Sequence, residues 1–286
     1  MDPQVKIIEC PRDALQGVRE FIPTAAKVAY VNALLGVGFD TVDFGSFVSP
    51  KAIPQMRDTA AVLSRLDLSE TRSKLLAIVA NTRGARDAAT FEEIDFLGFP
   101  FSVSEIFQMR NTQKTIEQSL GVLDEVLNIA TVANKKVVTY LSMGFGNPYG
   151  EPWSLELVGK WTKKLTEMGV EILSLSDTIG TATPANISYL FSHLIPQYPT
   201  VEFGAHLHTS YTSWKPKVEA AFQAGCLRFD GAIQGHGGCP MANDELIGNM
   251  PTEKLLSYFA SQQIATGTKP MAFESAYNAA LQIFSL

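Results

Sequence analysis

The chain has 286 residues, 46% hydrophobic and 18% charged, with a net charge of −6; that composition excludes disorder as its main state, and an acidic balance without a long basic run excludes a nucleic-acid surface. Its three cysteines are too few and too odd in number for a disulfide scaffold and point to a reducing compartment. No apolar run nears the ~20 residues of a membrane span, and Met1-Asp-Pro-Gln4 lacks the order of a signal peptide, so a cytoplasmic protein with no membrane contact is expected.

Val5 to Glu9 reads as a first strand, stopped by Cys10-Pro11 and followed by a polar loop, Arg12 to Gly17. Thr24 to Leu35 has helical spacing, with Pro23 at its start and Gly36 and Gly38 at its end. Phe39 to Phe44 is a second strand, leading into a loop over 45–51 and a helix over about 52–66. Leu75 to Ala80 is a third strand, and Asn81-Thr-Arg-Gly84 opens a short helix. Ile94 to Phe99 is a fourth strand, Thr112 to Val132 one long amphipathic helix, and Lys136 to Leu141 a fifth strand. A glycine-rich loop over 144–150 and a helix over 154–168 lead to a sixth strand, Val170 to Leu175. Strands over 201–207 and 227–233 follow, with helices near 184–195 and 213–224 before each.

Strand and helix thus alternate about eight times, and glycine recurs between a helix and the next strand at Gly36, Gly169 and Gly225. Near-continuous apolar strands imply a parallel sheet covered on both faces. A doubly wound open sheet is the rival, but neither Gly-x-Gly-x-x-Gly after the first strand nor a phosphate loop is present. The expectation is a TIM (β/α)8 barrel over 1–286 as one catalytic domain, with 235–250 as an active-site loop and 270–286 as a terminal helix. That C-terminal helical extension would close the barrel or meet a partner, which leaves room for a homodimer.

In such a barrel chemistry sits at the C-terminal ends of the strands. Arg12 and Asp13 follow the first strand, Asp43 ends the second, Ser142 the fifth and Asp177 the sixth; His206 and His208 end the seventh, and Cys239 and Asn249 follow the eighth. Residues two apart on a strand point the same way, so His206 and His208 present both imidazoles on one face. Each has a plain structural alternative: a strand histidine can be a packing residue, Asp13 a helix cap, Asp177 a turn residue and a lone cysteine a small hydrophobe. Lys51 and Arg83 can be solvated surface charges. Two imidazoles with an aspartate and an amide oxygen suit an open octahedral site for Mg²⁺ or Mn²⁺ better than closed tetrahedral zinc.

The motifs Arg12-Asp13-x-Leu-Gln16, Ser46-Phe-Val-Ser-Pro-Lys51, Ser176-Asp-Thr-Ile-Gly180, His206-x-His208, Gly237-Gly-Cys-Pro240 and Gly248-Asn249 resemble, in order, those of the hydroxymethylglutaryl-CoA lyase family, from about residue 5 to 260. The resemblance implies a divalent cation held by Asp13, His206, His208 and Asn249. Arg12 would stabilise a thioester enolate, Cys239 would act as general acid, and Gln16, Asp43, Ser142 and Asp177 would line the acyl pocket, with Asp177 or a water as candidate base. The implied reaction is cleavage of an acyl-CoA substrate, 3-hydroxy-3-methylglutaryl-CoA, to acetoacetate and acetyl-CoA, as in leucine degradation and ketone-body formation. Cleavage of a related 3-hydroxyacyl-CoA, a Claisen-type synthase and a non-catalytic CoA-ester-binding barrel are the alternatives. The chain departs from the family pattern at Ala14, where glycine is usual, at Asp43, where glutamate is usual, and at Thr209-Ser210, where Asp-Thr is usual.

Overall fold

The computed structural model describes residues 4–210, 212–238 and 247–285. Eight strands run parallel and pair in chain order until the last meets the first: β1 (Lys6–Glu9), β2 (Thr41–Ser46), β3 (Lys74–Ile78), β4 (Phe96–Ser102), β5 (Lys136–Ser142), β6 (Ile172–Asp177), β7 (Glu202–Leu207) and β8 (Arg228–Gly231). Closure sets Ile8 opposite Asp230 and Glu9 opposite Gly231, which brings the start of the chain beside residues more than two hundred positions later. The expected barrel is present.

The helices are α1 (Pro11–Gln16), α2 (Thr24–Val37), α3 (Thr59–Leu63), α4 (Thr82–Ala89), α5 (Glu105–Thr112), α6 (Ile116–Val132), α7 (Leu155–Glu167), α8 (Pro184–Gln197), α9 (Trp214–Gln223), α10 (Thr252–Ser261) and α11 (Pro270–Ile283). Asn81, Ser104, Thr115, Ser154 and Thr183 each cap a helix by accepting a backbone N–H with the side-chain oxygen. The terminal helix α11 packs on α2. No helix among the described residues is long and apolar enough to cross a membrane.

Four stretches differ from the sequence reading. Residues 11–16 form a helix rather than a loop, because Pro11 at the first helical position is already set for helical φ and has no N–H to leave unpaired. The helix expected over 52–66 shrinks to a 3-10 turn at Pro54–Met56 and the short α3. Tertiary bonds break it: Asp58 accepts from Thr24 Oγ1 and Lys27 Nζ, while Thr59 Oγ1 accepts from the backbone N–H of Ser46 and donates to the carbonyl of Met56. The helix expected over 112–132 begins only at Ile116, as α6, because Gln113 turns left-handed at φ 57° and Thr115 with Gln118 forms a reciprocal capping box; α5, which ends at Thr112, was not foreseen. The helix α10 was not foreseen.

The main apolar core fills the space between the strands and the helix ring. Inside the barrel a separate cluster, Leu76, Ile78, Val138, Tyr140 and Ile172, makes β3, β5 and β6 the apolar side. Next to it lie Cys10, His206, Arg228 and Asp230, all buried or nearly so, with Tyr140 meeting the His206 ring edge-on at 5.5 Å. Gly204 makes this possible, since a Cβ there would lie 3.1 Å from Arg228 Cδ and 3.2 Å from Ser174 Oγ. The polar functions are therefore concentrated where β7, β8, β1 and β2 meet.

Candidate active site and metal centre

Starting α1 immediately after β1 turns Arg12 and Asp13 inward, both buried at the barrel rim. Across the rim, the period of two in β7 places His206 and His208 side by side, with ring centroids 5.3 Å apart. One ligand atom from each of Asp13, His206 and His208 lies within 4.8 Å of the others. Asn249 completes the group: its backbone forms an antiparallel bridge with His208, and its Nδ2 donates to Asp13 Oδ2 at 2.6 Å and to the His236 carbonyl at 2.9 Å. With the nitrogen so engaged, the amide oxygen is the atom left to coordinate a cation.

The electrostatics favour a cation here. Burial raises the pKa of Asp13, but Arg12, His206 and His208 outweigh it and hold the carboxyl below its ordinary value. His208 is lowered to about 4, first by burial and then by His206, so at neutral pH it is a neutral imidazole. Among the described residues neither of its ring nitrogens meets a partner in good hydrogen-bond geometry, although both are buried. Buried polar atoms are nearly always satisfied, and a lone pair facing a carboxylate and a second imidazole fits a metal ligand. His206 differs, because its Nδ1 lies 3.1 Å from Asp230 Oδ2. Burial disfavours its charged form, yet the Asp230 carboxylate more than compensates and its pKa is raised. Such a carboxylate behind an imidazole orients the ring and increases its basicity as a ligand.

Beside this centre Arg12 is fastened on three sides. Its Nε and Nη2 donate to Asp43 Oδ2 at 3.0 and 2.5 Å, and its Nη1 donates to Asp13 Oδ1 at 2.9 Å and Gln16 Oε1 at 3.0 Å. Gln16 returns a bond from Nε2 to Asp13 Oδ1 at 2.6 Å. A guanidinium has five N–H donors, so among the described residues these contacts leave Arg12 one Nη2 hydrogen to offer outward. Burial works against the charge of Arg12, but Asp43 and Asp13 overcome it and the group stays protonated. Burial lifts Asp43 to about 6 against the pull of Arg12, so at neutral pH it is ionised and can hold the guanidinium.

Arg12, Asp13, Gln16, Asp43, His206, His208 and Asn249 thus come together. Two further predicted residues stand elsewhere in the network. Ser142 ends β5 in register with Ser102, with no side-chain bond to the cluster among the described residues. Asp177 has both oxygens engaged: Oδ1 accepts from the Ala182 N–H at 3.0 Å and Oδ2 from Lys217 Nζ at 2.7 Å. The same Lys217 donates to the carbonyls of His208 at 2.8 Å and Gly180 at 2.9 Å, so Asp177 reaches the centre only through the backbone of a candidate ligand. Cys239 lies outside the described residues.

Asp230, Lys217 and Glu9 went unrecognised in the sequence. Asp230 stands two residues after Arg228 on a strand, the spacing that flagged the histidine pair, and that alternation was its one available signal. Glu9, fully buried, accepts from the Ile233 N–H at 2.9 Å and from Thr252 Oγ1 at 2.5 Å, pinning the turn after β8 to the end of β1. Lys217 lies in the middle of α9, where sequence spacing carries no hint of its three acceptors.

The HMGL-like family model matches residues 4–279. The mitochondrial hydroxymethylglutaryl-CoA lyase of Bos taurus is 35% identical over 267 residues, covering 92% of this chain and 81% of that protein. The Bacillus subtilis hydroxymethylglutaryl-CoA lyase is 34% identical over 259 residues, covering 91% and 86%. Among solved structures, a Bacillus subtilis HMG-CoA lyase superposes with a TM-score of 0.89 at 33% identity, covering 96% of this chain and 92% of that one. An HMG-CoA lyase from A. baumannii, solved with coenzyme A and 3-methylmalate, superposes with a TM-score of 0.90 at 27% identity, covering 98% and 91%. Sequence, barrel and the carboxylate–imidazole cluster at its rim agree: the chain belongs to the HMGL-like family, a metal-dependent one.

Proposed function

We propose that this chain is a divalent-metal-dependent carbon–carbon lyase that cleaves 3-hydroxy-3-methylglutaryl-CoA to acetoacetate and acetyl-CoA. The observation that carries this reading is the meeting of Asp13, His206 and His208 at one point beside a guanidinium that keeps one donor free among the described residues. Mg²⁺ or Mn²⁺, held by those three side chains and the amide oxygen of Asn249, would supply the Lewis acidity that lowers the pKa of the substrate hydroxyl.

A water and the chain's own residues do the rest. A water takes the hydroxyl proton, since both oxygens of Asp177 are bonded elsewhere. The oxygen's electron pair becomes the ketone of acetoacetate as the adjacent C–C bond breaks, and the bond's electrons pass to the thioester as an enolate. Arg12, held still by Asp43, offers its remaining Nη2 hydrogen to that developing charge, where a preorganised donor is most effective. Cys239 then protonates the enolate carbon, a role taken from the Gly237-Gly-Cys-Pro240 resemblance. The carboxylate of Asp43, one methylene shorter than the usual glutamate, still reaches Arg12 with both Nε and Nη2, which supports retention of the reaction despite the departure. Two buried free thiols, Cys10 and Cys226, suit a reducing cytoplasm, where we place the protein.

The test is acetoacetate release from the hydroxymethylglutaryl thioester, with and without chelator. Chelator-sensitive release that returns on adding Mg²⁺ or Mn²⁺ is expected. Metal-replete protein that leaves the thioester intact sinks the proposal.

A further inference from the structure

We propose that the end of the chain shapes the metal centre: Phe284, acting through His236, sets the amide of Asn249 and with it the carboxylate of Asp13. The inference rests on the cation site described above, and its test is read on metal affinity rather than on turnover.

After β8 the backbone makes a tight turn in which Gln234 adopts φ 61°, a left-handed conformation that costs a non-glycine residue energy. Surrounding bonds hold it there. The N–H of Ile233 donates to Glu9 and that of Gln234 to Glu253. The Gln234 amide then faces two ways, with Nε2 donating to Tyr277 Oη of α11 at 3.3 Å and Oε1 lying 2.9 Å from His236 Nε2. The His236 ring stacks on Phe284, with centroids 3.9 Å apart and planes 23° from parallel. Phe284 is itself seated edge-on against Tyr30 of α2 at 6.2 Å. The terminal helix therefore grips both side chains of this turn and is anchored in turn to the barrel's helix ring.

The His236 backbone carries that grip to the centre. Its carbonyl accepts from Asn249 Nδ2, and the same nitrogen donates to Asp13 Oδ2. Two acceptors thus face one end of the amide. Rotating Asn249 by half a turn would set its oxygen against a carbonyl and a carboxylate, so the His236 carbonyl selects the orientation that keeps the oxygen free. The fit has no slack: a Cβ at Gly237 would lie 2.7 Å from both Asn249 Nδ2 and the Asp13 carbonyl, and one at Gly235 would lie 2.9 Å from the Asn249 carbonyl. A shift of His236 is passed on to Asn249 rather than absorbed. Phe284 and His236 are positioning residues, since neither belongs to the ligand set.

The experiment measures Mn²⁺ affinity of metal-stripped protein by calorimetry, together with the melting temperature of the metal-free form. Phe284→Ala is expected to weaken Mn²⁺ binding by roughly tenfold, the lower end of the loss on removing an outer-shell support, and Phe284→Tyr to restore it. Because Phe284→Ala can loosen α11 altogether, His236→Ala, which keeps α11 intact and removes the stacked ring, must show the same loss. Met271→Ala, on the exposed face of the same helix, is the control with unchanged affinity. Folded Phe284→Ala and His236→Ala that bind Mn²⁺ as the wild type does overturn the inference, as does a wild type that binds no Mn²⁺. A wild type that binds Mn²⁺ but leaves the thioester intact refutes the proposed reaction and leaves this inference standing.

Discussion

Two buried acids, Glu9 at the end of β1 and Asp43 inside β2, make opposite uses of burial. Asp43, raised to about 6 by burial, has to be ionised to hold Arg12. Activity should therefore fall as pH drops through about 6 at saturating Mn²⁺, because protonation removes the acceptor for Nε and Nη2. In Asp43→Asn that limb should vanish from the pH–rate profile and kcat should drop by about 10²-fold, the scale of a misplaced catalytic group; a retained limb would assign it elsewhere. Glu9 is raised from 4.5 to about 8, mainly by burial, against the bonds from Thr252 and the Ile233 N–H. Between those two values the folded protein keeps a proton that the unfolded chain has lost, so stability falls as pH rises from about 4.5 to about 8 and then levels. Urea denaturation of Glu9→Gln across that range should show a flatter dependence than the wild type, and an unchanged slope would exonerate Glu9.

The helices differ in whether their own sequence or a neighbour decides their extent. α6 begins where Thr115 and Gln118 say it should, whereas the helix expected over 52–66 gave way to bonds from α2 and β2. α4 shows a third case, in which one glycine allows an approach. A Cβ at Gly84 would meet the Phe47 carbonyl at 2.5 Å, so the first turn of α4 can lie against the loop after β2 only without a side chain. Gly84→Ala should destabilise the fold by about 1–3 kcal/mol, the usual cost of overpacking, visible as a lower urea midpoint. A midpoint equal to the wild type would mean that the loop after β2 yields freely. The same loop carries the Ser46-Phe-Val-Ser-Pro-Lys51 motif, so its position bears on the site as well as on stability.

At the scale of the whole molecule, barrel closure assembles the centre, and a cation there would bind only the closed form. Adding Mn²⁺ should raise the melting temperature of the wild type in proportion to the logarithm of its concentration above Kd. In His208→Ala the rise should largely disappear; an equal rise in both proteins would place the ion elsewhere. Much of this architecture was legible in the order of residues, for physical reasons that are local. Apolar runs fold as buried strands wherever they lie, Gly38, Gly169 and Gly225 all adopt the positive φ that ends a helix cheaply, and a period of two puts His206 beside His208 without help from elsewhere. What could not be read is whatever depends on which distant groups meet. Asp13 and Asn249 are 236 positions apart yet share a hydrogen bond. Asp230 supports His206 because β8 lies next to β7 in the ring, and the second oxygen of Asp177 is occupied because a lysine from the middle of α9 reaches it. The sequence by itself determined the eight repeated units and the kinds of side chain at the ends of their strands, since hydrophobic pattern and backbone preference act over a few residues. Only the tertiary structure decided which of those side chains face one another, since pairing and burial are set by the register of a closed sheet.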